Sequence, residues 1–128
     1  MKCVNSEYFI LHLYKELRMI KNIDKINSVK RSKVEIIVNH IDKCNKEEII
    51  IKKVIIFGSA ITDVCTEESD IDMCIVPQVS TSDLRFIDVV APIDTLCDDV
   101  CDIVAYSHIG GSLLREIDIH GICVYEIY

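Results

Sequence analysis

Lys53-Val54-Ile55-Ile56-Phe57-Gly58-Ser59 and, with ten residues between, Asp70-Ile71-Asp72-Met73-Cys74-Ile75-Val76-Pro77 decide how this chain is read. Residues 53–57 form a short apolar, β-branched run that stops at a glycine, the pattern of a buried strand running into a tight turn. Gly58 lacks a Cβ, so the backbone there can turn sharply and approach a ligand. Ser59 adds a hydroxyl and an N–H. If residues 60–64 start a short helix, their free N–H groups would form an anion site beside them. Pro77 ends the second run. Within that run Asp70 and Asp72 are two residues apart, and on a strand such side chains share a face. Ile71, Met73 and Ile75 then point to the opposite face, into a core. Paired carboxylates on one strand face repel each other, and a hard divalent cation such as Mg²⁺ relieves that repulsion while also binding phosphate oxygens.

A third apolar run, residues 100–106, carries Asp102 at its centre. An acid among apolar strand residues is costly to bury without a partner or a metal. Asp102 is thus the leading candidate for a third carboxylate. Asp98 and Asp99 compete with it, although they read as loop residues leading into the strand.

Composition bounds the rest. The chain has 128 residues, 50% hydrophobic, with two prolines, which predicts one globular domain. No apolar run approaches the roughly 18 residues of a membrane span, and no signal-peptide pattern opens the chain. A cytoplasmic location is expected. The seven cysteines include no C-x-x-C pair and read as free thiols, with Cys74 and Cys101 serving as small hydrophobes. The net charge of −7 is unevenly spread: residues 1–53 hold 12 Lys and Arg against 7 Asp and Glu, and residues 54–128 hold 2 against 14. The acidic half argues against a nucleic-acid groove and suits a cation site. The basic half reads as a solvated helical face, with contact to an acidic partner as the alternative.

Helical spacing predicts a first helix over residues 6–21, whose broad apolar surface calls for neighbours or a partner chain, and a polar turn over residues 22–27. A second helix is expected over residues 28–45, burying Val34, Ile37, Val38 and Ile41, with His40 at or near the surface. Residues 49–51, three isoleucines, fit the end of that helix or the start of the strand equally well. Further on, residues 80–82 can start a helix with Leu84, Ile87, Val90 and Ala91 on its buried face. Pro92 should break it, leaving residues 93–97 as a second piece or a loop. Ser112 is the expected cap of a helix over residues 113–119. Gly121 stops that helix, and residues 122–125 read as a short edge strand. His108 and His120 read as loop and helix-end residues.

These features together resemble the minimal nucleotidyltransferases of the DNA polymerase β superfamily, whose signature is Gly-Ser, ten residues, then Asp-x-Asp. The likeness covers about residues 30–128 and includes the Leu-Leu-Arg-Glu-Ile helix followed by an apolar run closing on Tyr-Glu. It divides the chain into a nucleotidyltransferase core, residues 28–128, and an N-terminal helical addition, residues 1–27. It implies an α/β (α+β) fold, a small mixed sheet with helices largely on one side. It implies transfer of a nucleoside monophosphate, AMP from ATP, to a hydroxyl. Asp70, Asp72 and Asp102 would hold two Mg²⁺ ions, Asp102 would act as general base, and Gly58, Ser59 and Ser69 would hold the nucleotide. Stand-alone members often serve as the antitoxin of an all-helical HEPN toxin, so a protein partner is implied; a homo-oligomer is a further possibility. In one respect the chain departs from the family: Ile61-Thr62-Asp63 stands where members commonly read Ala-Arg-Gly. Without that arginine a partner-binding module with weak catalysis is the first alternative. A small-molecule nucleotidyltransferase of the aminoglycoside-modifying type is the second, weakened by the lack of an acceptor domain.

Overall fold

The computed structural model describes residues 17–128. Two antiparallel runs make its centre. β2 (Ile51–Phe57) pairs with β3 (Ile71–Pro77), so that Phe57 stands opposite Asp72. β4 (Cys101–Ala105) lies parallel on the far side of β3. Parallel neighbours need a crossover, here α2 (Asp83–Val90) and α3 (Ile93–Cys97), separated by Pro92. On the other side of β2, β5 (Ile122–Ile127) pairs antiparallel, and β1 (Arg18–Ile20) pairs antiparallel with β5. The resulting mixed five-stranded sheet has the order β1-β5-β2-β3-β4. This is the expected fold class.

Strand alternation sends Val54, Ile56, Ile71, Met73 and Ile75 to one face. There they pack with Val34, Ile37, Val38 and Ile41 of α1 (Ser28–Asn45) and with Val89 and Ile93 of the crossover. The α1 bounds and its buried stripe match the expectation. Asn27 caps the helix, its side chain accepting from the Val29 N–H at 3.0 Å. Ile55, Phe57 and Cys74 face the other way and are covered by Ile117 of α4 (Gly111–His120). Among the described residues three helices therefore cover one face and one covers the other.

Asn45 resolves the ambiguity of the three isoleucines. It is buried, its Oδ1 accepts from the Ile50 and Ile51 N–H groups, and its Nδ2 donates to the Ile51 carbonyl and to Tyr125 Oη. One side chain ends the helix at position 45 and starts the strand at 51. His40 is half-buried, with Nε2 at 2.7 Å from the Val89 carbonyl.

Several expectations are corrected. The first helix does not continue to residue 21, because Arg18–Ile20 are strand; its earlier part lies outside the described residues. Instead of a helix over residues 60–64 there is a single 3₁₀ turn, Gly58–Ile61, closed by Thr62 N–H donating to the Ser59 carbonyl at 2.9 Å. In α2, Leu84 and Ile87 face solvent, and Phe86 and Val89 point inward. Ser112 is not a cap: α4 begins at Gly111 with Gly110 preceding it. β5 is an interior strand, since β1 covers the edge left open by the sequence pattern. Among the described residues no helix is long and apolar enough to cross a membrane. The six described cysteines are free, and burial pushes the Cys74 thiol up to about 11.

Candidate active site

The pairing register assembles the site. Asp72 is the second residue of β3. It stands opposite Phe57, the last residue of β2, and beside Asp102, the second residue of β4. Alternation puts both carboxylates on the face covered by α4. Asp70 lies just outside the strand, exposed to solvent like Asp102, while Asp72 is half-buried. Burial raises the Asp72 carboxyl above its ordinary range, and the carboxylate of Asp102, followed by Asp70 and Glu116, raises it further. Asp70, Asp72 and Asp102 are thus brought into one electrostatic cluster.

Gly58 is fitted to Asp72. Its φ of +72° lies in the left-handed region, and a Cβ there would collide with the Asp72 carboxylate. Both facts call for glycine. Ser59 follows in the 3₁₀ turn, its carbonyl accepting from the Thr62 N–H and hydroxyl. Ser69 is turned into its own loop: its Oγ accepts from the Thr66 N–H at 3.0 Å. Asp99 stands apart from the cluster. Its Oδ2 takes hydrogen bonds from Lys30 at 2.7 Å and Lys33 at 3.2 Å, and its Oδ1 accepts from the Val100 N–H. Burial alone would raise this carboxyl; the Lys30 ammonium, the Val100 N–H and Lys33 outweigh burial and hold it below the usual range. Asp98, left-handed at φ 52°, ends α3.

Sequence reasoning missed Glu116. Nothing around it signals a site, and only the folding of α4 over the sheet brings it near Asp72. It also missed Asn27 and Lys30, which brace the loop between Ser59 and Asp70. Asn27 N–H donates to the Ala60 carbonyl and its Nδ2 to the Thr62 carbonyl, while Lys30 Nζ donates to the Glu67 carbonyl at 2.9 Å.

A hard divalent cation suits this donor chemistry. Its donors are carboxylates, burial and then the neighbouring acids raise Asp72, and among the described residues no lysine or arginine pairs with any of the three. As they stand the three are not gathered tightly enough to hold an ion together: among the described residues no three His, Cys, Asp or Glu side chains form a group that could hold a metal ion. The cluster lies on an open lip. A hollow of about 330 Å³, lined by Pro77, Phe86, Ile87 and Ala105, lies toward the other end of the strands.

A family model described as "Polymerase beta, Nucleotidyltransferase" matches residues 39–127. No curated protein matches the chain. Among solved structures, a mutant of the toxin–antitoxin MntA-HpeT is 16% identical, with a TM-score of 0.52 over 69% of this chain and 71% of that one. A toxin–antitoxin with AMP-PNP is 18% identical, with a TM-score of 0.54 over 69% and 72%. At these identities the likeness concerns the fold.

Proposed function

Because the chain belongs to the polymerase beta nucleotidyltransferase family, we propose that it transfers AMP from ATP to a hydroxyl on a partner protein, as the antitoxin of a toxin–antitoxin pair. The observation that carries this reading is the carboxylate cluster aligned by register: Asp72 beside Asp102, Asp70 at the strand mouth, and Gly58 packed against Asp72. In this reading Asp70, Asp72 and Asp102 hold Mg²⁺, which would neutralise the triphosphate and the leaving group. The Gly58 and Ser59 backbone lies along the triphosphate, and Ser69 borders it. The acceptor hydroxyl oxygen bonds to the α-phosphorus, the bond from that phosphorus to the bridging oxygen breaks, and pyrophosphate leaves. The hydroxyl proton passes to an Asp102 carboxylate oxygen. Positioning and charge neutralisation supply the catalysis.

The partner in this reading is an all-helical HEPN-type toxin. Support comes from the family and from folds shared with proteins described as toxin–antitoxins, one of them with AMP-PNP. A second reading, neutralisation by contact with little transfer, is favoured by Ile61-Thr62-Asp63, which offers no cation where family members commonly have arginine.

Label transfer separates the two. The protein is incubated with α-labelled ATP, Mg²⁺ and lysate from its own source, beside Asp70→Ala/Asp72→Ala. A labelled protein band absent from the variant is the expected result. No label anywhere, with Mg²⁺-dependent ATP binding intact, would replace the enzyme by the binding module.

A further inference from the structure

Lys30, in the first turn of α1, is fully buried. Lysine is almost never found so unless paired. Its ammonium donates to the Glu67 carbonyl at 2.9 Å and to Asp99 Oδ2 at 2.7 Å. Those acceptors occupy equivalent places in two different loops. Glu67 lies three residues before Asp70, and Asp99 lies three residues before Asp102. The same two loops are joined directly by Ile71 N–H donating to the Val100 carbonyl at 2.9 Å, and Asp99 Oδ1 fixes the Val100 N–H at 2.7 Å. A chain of short bonds therefore runs from the α1 ammonium to Ile71, the first residue of β3, and to Val100, the residue before β4.

We propose that Lys30 is a positioning residue for the carboxylate site: one buried ammonium pins the loops that deliver Asp70 and Asp102 and so sets the spacing of the carboxylates across β3 and β4. This rests on the nucleotidyltransferase reading of that site. Lysine suits the task because its compact ammonium carries several donors that can diverge to separate acceptors, whereas the planar guanidinium of arginine is larger and directs its donors in a fixed fork. A buried cation of this kind adds little net stability. Its consequence here is geometric, and misplacement of catalytic groups by about 1 Å can cost on the order of a hundredfold in rate.

The test uses Lys30→Met/Asp99→Asn, which removes the ammonium together with its carboxylate, and Lys30→Met alone, in which Asp99 keeps Lys33 at 3.2 Å, as the second variant should the first not fold. Three quantities are read: Mg²⁺-dependent ATP affinity by calorimetry, label transfer, and hydrogen exchange by peptide. The expected result is a cooperatively folded variant with faster exchange in peptides spanning residues 62–72 and 99–103. Exchange in α4 and β5 should be unchanged, and affinity or transfer should fall by at least about tenfold. Unchanged loop exchange with affinity and transfer within about twofold of the parent would overturn the proposal. Parent protein that binds no ATP with Mg²⁺ would sink the nucleotide reading instead, and loop exchange would then decide whether Lys30 holds the two loops.

Discussion

At the scale of single residues, the site is a repulsion held in place by the backbone. Asp72 cannot retreat toward β2, because Gly58 packs against its carboxylate, nor find a counter-charge among the described residues. Its carboxyl is raised by burial first and by Asp102 next. An acid whose folded pKa exceeds its unfolded value, near 3.9, favours folding most below that value and loses the advantage as pH rises through the folded pKa. Ionised Asp72 is thus a liability at pH 7 when no cation is bound. Asp72→Asn is expected to raise the thermal midpoint in EDTA at pH 7, and Mg²⁺ should stabilise the parent but not the variant. A variant that melts lower in EDTA, or gains as much from Mg²⁺, would contradict this account. Gly58, Asp70, Asp72 and Asp102 were legible in the sequence because strand alternation and a fixed spacing are local properties. Lys30 was not, being one of 12 basic residues in the first 53, where lysine ordinarily reads as solvated. Glu116 needs α4 folded over the sheet before it means anything.

At the scale of elements, α2 shows why periodicity alone misassigned a face. The expected face is Leu84, Ile87, Val90 and Ala91; of these only Val90 packs on the core, while Phe86, Val89 and Ile93 recur at helical spacing as well. Both stripes are apolar, and the direction of the β3–β4 crossover decides which one meets the sheet. Val89 is 2% exposed and Leu84 75%. Val89→Ala should therefore cost about 1–3 kcal/mol in chemical denaturation, and Leu84→Ala no more than about 0.5 kcal/mol. Equal losses would mean that α2 packs through the other stripe. In contrast, the bounds of α1 and its buried stripe of Val34, Ile37, Val38 and Ile41 were legible, because those four recur on one face of a single helix. Where it hands over to β2 was not: that boundary rests on hydrogen bonds from Asn45 to residues up to 80 positions away.

At the scale of the molecule, the sheet is guarded at one edge by three residues. β1 is short, but Leu17 and Lys21 extend its pairing: Tyr128 N–H donates to the Leu17 carbonyl and Lys21 N–H to the Val124 carbonyl. That alternation places Met19, opposite Glu126, at a hydrogen-bonded position of the ladder. Lys21 adds an ion pair to Glu126 at 2.9 Å and a hydrogen bond to Tyr128 Oη at 2.8 Å. Met19→Pro is expected to remove about 1–3 kcal/mol of stability and to leave β5 open to pairing with other chains. Sedimentation velocity and thermal melting would register both effects. An unchanged midpoint and an unchanged monomer fraction would show that β1 does not protect the edge. The sequence pattern could not place β5 inside the sheet, because its partner β1 is too short to register as a strand.

The position of β5 also sets a timetable. Of the five described strands it is the last to be synthesised, yet it must slot between two that already exist. β1 waits for about 100 residues of translation, on the order of 5–20 s at roughly 5–20 residues per second. During that interval β1 has no sheet to join, and β2 shows the ribosome's surroundings a bare flank of Lys53, Val54, Ile55 and Ile56. The newborn chain is therefore most vulnerable to aggregation just before β5 emerges. A slow codon or a pause shortly upstream of Ile122 would lengthen that exposure, whereas the same pause upstream of β2 would cost nothing.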